Sequence, residues 1–400
     1  MRLDKSITRP LSVCIVMHYL NLFLCFSRFQ YNVFNYNLMI QLMTGIRKTH
    51  KAAFFYEIAG PFKIDEVPTP EEVPPYGLLV KTRSVGICHS DLHLWQGDYK
   101  SIGLPKSLPW IVGHEIVGTI AKKGSLVPES LREGTPVLVY AWQPADENDE
   151  IVAEGYTQLA SRRRRYAFDI EGGLQEYIVV PHYKYVIPLE GFEEIESIAP
   201  LGCAGLTTYN AVKKIRKYIR PDDYILIVGL GGLGIYAVQW AKVLLPEANI
   251  IAVDIREEAL QFASKIVRDV VYTKVNANTI EILNEITKGR GVRAVIDLVS
   301  NNNTVPIYSK ILTTKGVYNL VGLMGHEVTI PTQILIRKEI VIITTYTGSL
   351  ADQINVIKLA KKINYKEVIS ERFKFTEEDV NKAFNKLKEG KILGRGIIVF

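Results

Sequence analysis

Two patterns of apolar and polar positions follow one another along most of the chain. From about His50 to Tyr140, short apolar runs alternate with breaks that contain Pro and Gly. This pattern predicts the short strands and turns of a small β-barrel-like domain. The predicted strands include KAAFFYE, GLLVKTRSVG, IVGHEIVGTIA and TPVLVYAW.

After Cys203 the period changes. The strand-like run YILIVG (224–229) is followed by the helix-like run LGIYAVQWAKVLL and then by the strand-like run NIIAVD (249–254). Strands that alternate with helices of about 10–15 residues predict an α/β fold with a doubly wound parallel sheet. The later elements predicted in this way are EEALQFASKI, VVYT, TIEILNEITKG, AVIDLV, VPIYSKIL, GVYNLVG and EIVIITTY.

The last part of the chain, from about residue 346, returns to a mixture of helix and strand patterns. FTEEDVNKAFNKLKEG has the spacing of an amphipathic helix, and Gly390 is positioned to end it. This return suggests that the C-terminal segment packs with the first, β-rich part rather than extending the parallel sheet.

Residues 1–42 differ from the rest. The apolar run at 11–26, LSVCIVMHYLNLFLCF, is shorter than the roughly 20 residues of a membrane span. It is not followed by the small-residue cleavage site of a signal peptide. We interpret the segment as an artefact of the assigned start, with translation expected from Met43. A genuine non-catalytic extension and a membrane anchor are the alternatives.

Charge and cysteine content narrow the class of protein. The net charge is +6, and residues 1–42 carry half of it, with four basic side chains against one acidic side chain. The remaining excess is too small and scattered to indicate nucleic-acid binding. The chain has four cysteines, of which only Cys88 and Cys203 follow residue 42. This scarcity indicates a reducing, cytoplasmic setting.

A glycine motif follows the strand at 224–229 directly. IVGLGGLG contains Gly229-x-Gly231-x-x-Gly234, with Gly232 between them, and a helix pattern starts at once. In a dinucleotide-binding turn these glycines permit a tight turn, close approach to a pyrophosphate and close packing of helix on strand. The phosphate then lies on the free N–H groups of the helix N-terminus. The alternative is an ordinary tight turn.

An acidic residue stands at the expected distance from this motif. Asp254 ends the next predicted strand, 20 residues after Gly234. Its carboxylate can accept hydrogen bonds from both ribose hydroxyls and would repel a 2′-phosphate, so the sequence favours NAD over NADP. Arg256 is a candidate to stack on the adenine, although an exposed arginine is an equally simple interpretation.

A candidate metal centre is spread over three segments. Cys88 lies in GICHSDLH, His114 and Glu115 lie in GHEIVG, and Cys203 lies in LGCAGLTTY. A lone cysteine is usually a small buried hydrophobe, and a lone histidine is usually a satisfied polar group. Taken together, each beside glycines and near a strand end, these residues predict a Cys₂His zinc site with one open position.

These segments carry a family resemblance. GHEIVGTIAKKG and GICHSDLH resemble the signature and the first ligand loop of zinc-dependent medium-chain alcohol dehydrogenases, and the similarity, closest to archaeal NAD-dependent members, covers about 50–400. The resemblance implies that Cys88, His114 and Cys203 bind the zinc. It implies that Glu115 exchanges with the zinc-bound water and that Asp91 orients the His114 imidazole.

The resemblance also implies a proton path. Ser90 and His93 match the positions of a relay that runs from a hydroxyl, through a ribose hydroxyl, to an imidazole and the solvent. Histidine suits the exit because its unperturbed pKa lies near 6.5. The alternatives are that Ser90 is a helix cap and that His93 is a surface residue.

Other contacts are implied more loosely by the resemblance. The implied cofactor contacts are Thr207, Leu320, Val321, Gly322 and Arg395. Thr207 would pack on the nicotinamide, the 320–322 backbone would lie near its carboxamide, and Arg395 would reach the pyrophosphate with its forked guanidinium. Trp142 and Tyr166 would line the substrate pocket.

The chain departs from the family at residues 143–172, here called the lobe. Most zinc alcohol dehydrogenases hold a second, structural zinc in this region with closely spaced cysteines, and this lobe contains none. We therefore expect one catalytic zinc per chain and no structural zinc. The acidic run DENDE and the basic run at 162–165 are interpreted as solvated surface. Pairing between the two runs stays open.

The resemblance implies two domains with the active site in the cleft between them. A GroES-like catalytic domain would comprise 43–205 and 346–400, and a Rossmann domain would comprise 206–345. The expected reaction is reversible oxidation of a primary or secondary alcohol to an aldehyde or ketone with NAD. The expected assembly is a homodimer or homotetramer in the cytoplasm.

Several alternatives remain open on the sequence alone. A polyol, sugar or amino-alcohol dehydrogenase would use the same zinc and NAD. A degenerate paralogue would bind NAD without turnover. A zinc-free quinone or enoyl reductase would share the fold, but such proteins lack this ligand set, so the presence of Cys88, His114 and Cys203 argues against that class. The interpretation as a membrane-tethered protein is supported only by the apolar run at residues 11–26.

Overall fold

The computed structural model describes residues 46–325 and 327–400. Contacts within the chain divide it into two units, Met1–Arg47 and Lys48–Phe400, and the fold below is that of the second unit. The predictions about residues 11–26 and about a start at Met43 lie outside the described residues. In the described part of the chain, no helix is long and apolar enough to cross a membrane.

The first part of the second unit is rich in strands. Its strands are β1 (Thr49–Phe55), β2 (Phe62–Pro68), β3 (Leu78–Ile87), β4 (Glu115–Lys123), β5 (Pro136–Val139), β6 (Trp142–Pro144), β7 (Arg163–Arg165), β8 (Tyr177–Val180) and β9 (Val186–Pro188). Its α-helices are α1 (His89–Gln96), α2 (Glu150–Ala153) and α3 (Ala204–Ile215).

The second part alternates strands with helices. Its strands are β10 (Tyr224–Val228), β11 (Asn249–Asp254), β12 (Val271–Lys274), β13 (Val292–Asp297), β14 (Leu312–Leu320), β15 (Val341–Thr344), β16 (Ile369–Lys374) and β17 (Arg395–Val399). Its α-helices are α4 (Gly234–Leu244), α5 (Glu257–Ile266), α6 (Thr279–Ile286), α7 (Val305–Tyr308), α8 (Thr332–Lys338), α9 (Leu350–Leu359) and α10 (Glu377–Lys388). The 3₁₀ segments of the unit are Lys100–Ile102, Thr157–Leu159, Tyr183–Tyr185, Ile195–Gly202, Arg216–Tyr218 and Ala360–Lys362.

A seven-stranded sheet forms the β-rich part. Its order is β16-β17-β3-β4-β5-β9, and β8 also pairs with β3. Along β3 only Lys81 and Arg83 are exposed, so this strand is buried on both faces. It ends at Ile87, and the next residue is Cys88. The sheet thereby brings the first predicted metal ligand into the interior.

A six-stranded parallel sheet forms the second part, in the order β12-β11-β10-β13-β14-β15. On β10, Ile225 and Ile227 join one apolar cluster, whereas Leu226 and Val228 join another. Alternate residues therefore pack into layers on opposite faces of the sheet, as the doubly wound prediction requires. The strand order reverses between β10 and β13, where ligands bind outside the carboxyl ends of such sheets.

The C-terminal strands return to the first sheet. β17 pairs antiparallel with β3, and β16 pairs parallel with β17. This pairing agrees with the interpretation that the segment after residue 346 completes the β-rich part. The predicted domain boundaries themselves stay a prediction.

Three sequence-based assignments need correction. The lobe, for which no helix or strand was predicted, contains the β6–β7 hairpin and the short helix α2. The run VPIYSKIL forms only the four residues of α7, because Leu312 already pairs with Val292 in the parallel sheet. Helix α8, which follows Pro331, has no counterpart among the predicted elements.

Candidate active site

Cys88 lies at the junction between β3 and α1. It is the residue before the first turn of the helix, has extended backbone angles and is 4 % exposed. The helix then places Asp91 in its first turn, and Asp91 is completely buried. A buried carboxylate needs hydrogen-bond donors, and its donors come from the second ligand segment.

Asp91 connects α1 to the start of β4. Its Oδ1 accepts hydrogen bonds from the Gly113 backbone N–H at 2.9 Å and from Nδ1 of His114 at 3.0 Å. This contact fixes the imidazole and leaves Nε2 as the other ring nitrogen. In the described part of the chain, the buried Nε2 of His114 has no hydrogen-bond partner. A metal-ligating histidine commonly has this arrangement, with a carboxylate on its other nitrogen.

Cys203 completes the cluster from the residue before α3. One ligand atom from each of Cys88, His114, Glu115 and Cys203 lies within 4.8 Å of all the others, and all four residues are buried. Two thiols, an imidazole and a carboxylate are donors that Zn²⁺ prefers. The donor set and the unpartnered Nε2 therefore fit a zinc ion.

The electrostatics of the cluster follow from its close packing. A hydrogen bond with Cys203 is the main reason that the pKa of Cys88 lies well below its usual range, and His114 acts in the same direction against the effect of burial. The contact with Cys88, together with burial, raises the pKa of Cys203. Although burial opposes it, Asp91 raises the pKa of His114, and Cys88 adds to this effect. The protonation of the two thiols and of the imidazole is therefore linked within the cluster.

Glu115 is paired with Arg395. Arg395 is 3 % exposed, and its Nη2 donates to Oε2 of Glu115 at 2.5 Å. Arg395 lies beside the glycine turn, where a Cβ on Gly232 would be 2.6 Å from its Cδ. It is not among the residues that line the cavity, and its contact with the pyrophosphate stays a prediction. A buried guanidinium requires a counter-charge, and Glu115 supplies it.

The pairing also affects Glu115 itself. Burial raises the pKa of its carboxyl group to about 7, although Arg395 opposes the shift. Its Oε1 lies 3.4 Å from the backbone N–H of Ala204, the residue after Cys203. Glu115 therefore connects the second ligand segment to the third and to the last strand.

Ser90 and His93 lie on α1, on the cavity side of Cys88. The Ser90 side chain hydrogen-bonds to Tyr99, and this contact opposes the burial that raises the pKa of Tyr99 to about 12. The ring of Tyr99 lies 5.8 Å from that of His93. Tyr99 lines the cavity, and so does His89, which stands between Cys88 and Ser90 in the sequence. No role was predicted for either of them from the sequence.

The glycine motif forms the turn between β10 and α4. Gly234 is the first residue of α4, and a Cβ there would collide with the carbonyl oxygen of Gly229. Helix and strand can therefore approach closely only with glycine at this position. Gly229, Gly231, Gly232 and Gly234 line the cavity beside Cys88 and Cys203. The turn has the form that cradles a pyrophosphate.

Asp254 ends β11 at the rim of the same cavity. Its Oδ2 accepts the Leu230 N–H at 2.7 Å, and its Oδ1 accepts the Arg256 N–H at 2.8 Å. These bonds hold the carboxylate in place while each oxygen keeps a lone pair for a ribose hydroxyl. Arg256 also lines the cavity, and its place near the adenine stays a prediction.

One cavity of about 660 Å³ joins the metal cluster to the glycine turn. Thr207 on α3 and Val321 and Gly322 after β14 line it, and their contacts with the nicotinamide stay a prediction. Leu320 is not among its lining residues. The cavity is large enough for a cofactor and a small substrate together.

The pocket next to the metal cluster is largely aromatic. The Trp142 ring lies 5.3 Å from the His114 ring and 5.9 Å from the Phe168 ring. Tyr346 lies 5.7 Å from Trp142 on another side. Phe168 and Tyr346 were not predicted from the sequence, because neither belongs to a motif. The predicted place of Trp142 in the pocket agrees with this geometry.

Tyr166 lies away from the substrate pocket in which it was predicted. It is 2 % exposed, its hydroxyl donates to the Val179 carbonyl at 2.6 Å, and it does not line the cavity. The preceding residue, Arg165, lines the cavity instead. Arg165 is the last residue of β7 and pairs with Trp142 of β6. Successive residues of an extended chain point to opposite sides, so only one of the two neighbours can face the pocket.

Arg165 also corrects the interpretation of the basic run as solvated surface. Its side chain is 17 % exposed and forms two hydrogen bonds to Asp169, at 2.7 Å and 3.0 Å. Its Nη1 donates to the Tyr346 hydroxyl at 3.2 Å. The guanidinium is therefore fixed in the wall of the pocket, with one N–H on each terminal nitrogen free of these contacts.

The acidic run contributes to the lobe through Asp149. Its Oδ1 caps α2 by accepting the Ile151 N–H at 2.9 Å. Its Oδ2 accepts the backbone N–H and the hydroxyl of Ser161, at 2.8 Å and 2.5 Å. This carboxylate joins the start of α2 to the segment that leads into β7.

The fold and the site together define a class of protein. A parallel sheet with a dinucleotide-type turn and a β-rich part with a Cys₂His cluster open onto one cavity. This combination defines a metal-dependent dehydrogenase that uses a nicotinamide dinucleotide.

Known proteins resemble this chain over most of its length. Residues 74–191 match the alcohol dehydrogenase GroES-like domain, and residues 232–388 match the zinc-binding dehydrogenase family. An NAD-dependent alcohol dehydrogenase of Sulfurisphaera tokodaii is 33 % identical over 356 residues, which cover 87 % of this chain and 99 % of the relative. A D-arabinose 1-dehydrogenase (NADP(+)) of Saccharolobus solfataricus is 30 % identical, with 87 % and 97 % covered.

Solved structures agree with these matches. The alcohol dehydrogenase of the archaeon Aeropyrum pernix is similar with a TM-score of 0.79 and 30 % identity, covering 88 % of this chain and all of that chain. The chain therefore belongs to the zinc-dependent medium-chain alcohol dehydrogenase family.

Proposed function

We propose that this protein is a zinc-dependent dehydrogenase that transfers hydride between NAD and a primary or secondary alcohol. The observation that carries the proposal is the shared cavity, onto which Cys88 and Cys203 of the metal cluster open beside the Gly229–Gly234 turn. A metal ligand set alone would fit a structural site, and a glycine turn alone would fit many enzymes. Their convergence on one cavity fits alcohol oxidation.

We propose that Cys88, His114 and Cys203 hold the zinc. Bound there, zinc supplies Lewis acidity that makes an alcohol hydroxyl more acidic. Asp91 keeps the His114 ring oriented through Nδ1, and the ion pair with Arg395 holds Glu115 beside the three ligands. The aromatic wall of Trp142 and Phe168 excludes water from the reacting carbon.

NAD is the cofactor that the proposal requires, and when bound it would supply the hydride acceptor. The glycine turn would hold the pyrophosphate, and Asp254 would hold the ribose hydroxyls. The backbone bonds to Leu230 and Arg256 fix the carboxylate of Asp254 at the rim of the cavity. A 2′-phosphate would meet this negative charge, which is why we propose NAD rather than NADP.

We propose that the substrate proton leaves through Ser90 and His93. Both side chains line the cavity, and His93 keeps 22 % of its side chain exposed, so it can exchange protons with solvent. The Tyr99 ring packs beside His93, and its hydroxyl contacts Ser90. These contacts order the two relay residues along the pocket wall.

A polyol or sugar dehydrogenase is the second candidate function. Its support is Arg165, a cation with free N–H groups in an otherwise aromatic pocket wall, which would bind distal hydroxyls. The similarity to a D-arabinose 1-dehydrogenase independently supports this second candidate. A panel of simple alcohols, diols and aldoses separates the two functions: the first predicts higher kcat/KM for the simple alcohols, the second for the hydroxylated substrates.

We propose further that the enzyme is a homo-oligomer of the cytoplasm. β15 is the edge strand of the parallel sheet, and apolar side chains are exposed on and near it, namely Ile336, Val341 and Ile342. An unpaired apolar edge is a typical site of association between copies. Cys88 and Cys203 form no disulfide, and zinc binding requires both of them reduced, which fits a reducing compartment.

The direct test combines metal content with turnover. The full chain is expected to contain zinc and to form NADH from alcohols, and Cys88→Ala is expected to lose both while still binding NADH. Ser264→Ala, at an exposed position on α5 outside the predicted ligand set, is the control and should keep zinc and turnover. A parent chain that binds NADH but holds no zinc and oxidises no alcohol would contradict the proposal.

A further inference from the structure

The end of helix α1 places Asp98 next to His93, much as the start of the helix places Asp91 next to His114. The helix ends at Gln96, and Gly97 adopts a left-handed conformation with φ of +83°. The Gly97 N–H bonds to the Leu94 carbonyl, and the Asp98 N–H bonds to the His93 carbonyl at 2.9 Å. Glycine readily adopts this conformation, and the turn directs the chain back over the last turn of the helix.

This turn brings the Asp98 carboxylate onto the His93 ring. Oδ2 of Asp98 lies 2.7 Å from Nδ1 of His93, a short distance typical of a charge-assisted hydrogen bond. The same residue pair is therefore joined twice, through the backbone and through the side chains. Because the backbone bonds define the turn, the carboxylate position does not depend on a flexible loop.

The titratable groups around the His93 ring differ in what they can do. Asp98 contacts Nδ1 directly, whereas His89 on the same helix lies 6.5 Å away and Tyr99 lies 5.8 Å away, measured between ring centroids. A carboxylate at Nδ1 can only accept a hydrogen bond. Nδ1 must then carry the proton, and Nε2 of the neutral ring must be the free acceptor.

We propose that Asp98 is a positioning residue of the proton path. It holds His93 in the tautomer whose Nε2 can accept the proton that the alcohol loses, and its negative charge stabilises the imidazolium until that proton passes to solvent. Oxidation of an alcohol releases one hydride and one proton, and the role proposed for Asp98 is only in the transfer of the proton. This inference rests on the proposed role of His93 in alcohol oxidation.

The decisive measurement is the tautomer of His93 in the zinc-loaded protein. Long-range ¹H–¹⁵N correlation spectra of the imidazoles, with the His93 signals assigned by their loss in His93→Gln, should show a proton on Nδ1. In Asp98→Asn the amide can donate as well as accept, so the population should shift toward the Nε2–H form. A parent chain with its proton on Nε2, or a tautomer unchanged in Asp98→Asn, would overturn the inference.

Kinetics supply the second readout. Asp98→Asn should lower kcat for alcohol oxidation by about tenfold or more, with KM for the alcohol nearly unchanged, since orienting partners of this kind contribute 10–100-fold. Asp98→Glu should recover part of the loss. Asp269→Asn removes an exposed carboxylate that pairs with Lys242, and this control should match the parent. An Asp98→Asn variant with the kcat of the parent would refute the role.

The two proposals can fail separately. If His93→Gln turns over as fast as the parent, the proton path itself is wrong, and this inference falls with it. If His93→Gln is slow and Asp98→Asn is not, only the positioning role of Asp98 is wrong. Because Asp98→Asn preserves size and the turn is formed by backbone bonds, zinc content and thermal stability should stay at the parent values.

Discussion

Asp91 and Asp149 each connect two segments of chain, but they do so in different surroundings. Asp91 is completely buried and accepts bonds from the Gly113 N–H and the His114 ring. Asp149 lies near the surface and accepts bonds from Ile151 and from both the backbone and side chain of Ser161. Asp149 has more bonds, yet burial makes the bonds of Asp91 harder to replace with water.

The comparison separates two ways of organising a chain. Around Asp91 the protein builds a buried cluster whose ligand atoms would be costly to bury without a cation. Around Asp149 the lobe, which has no cysteine, is held by bonds between a carboxylate, a hydroxyl and backbone groups. The first arrangement should depend on metal, and the second should not.

Removal of zinc is expected to have the largest effect. A chelator should lower turnover by about a thousandfold or more, because metal catalysis supplies several kcal/mol of stabilisation, and added zinc should restore it. Hydrogen exchange at the Ile151 and Ser161 amides should stay unchanged, since Asp149 and not a metal protects them. Loss of protection at these two amides on chelation would show that the lobe depends on zinc after all.

Asp91→Asn should have the next largest effect. The amide keeps the size of the side chain but supplies no negative charge to Nδ1 of His114, so zinc affinity should fall by about 10–100-fold. Competition with a fluorescent zinc chelator measures this affinity. Turnover should recover when zinc is in excess. A variant with parental zinc affinity would mean that His114 needs no carboxylate partner.

The sequence predicted the elements whose chemistry restricts the choice of residue. The run EEALQFASKI predicted the bounds of α5 as the structure has them, because its apolar spacing is unambiguous. The glycine turn was likewise predicted from residue type and spacing, and the family resemblance implied the ligand roles of Cys88, His114 and Cys203. In these places few other residues can do what the backbone or a zinc ion requires.

The sequence could not predict contacts that depend on strand register or on distant partners. Arg165 and Tyr166 are neighbours on an extended segment, and only the β6–β7 pairing decides which of them faces the pocket. Arg395 and Glu115 are 280 residues apart, and a charged residue has many possible partners before the fold is known. The contact between Asp98 and His93 had a local signal, a glycine and an aspartate directly after a helix that carries a histidine.

Asp149→Asn should have the smallest effect on activity, and it tests most directly whether Asp149 acts independently of the metal cluster around Asp91. The amide oxygen can still cap α2, but the amide nitrogen is a poor neighbour for the Ser161 N–H, so the lobe should loosen. The melting temperature should fall by a few degrees in calorimetry, and exchange at the Ser161 amide should speed up. Zinc content and kcat should match the parent, because Asp149 is not part of the metal cluster. If Asp149→Asn lowered zinc content as much as Asp91→Asn does, the metal cluster and the lobe would be one cooperative unit, and the distinction drawn from the burial of the two aspartates would fail.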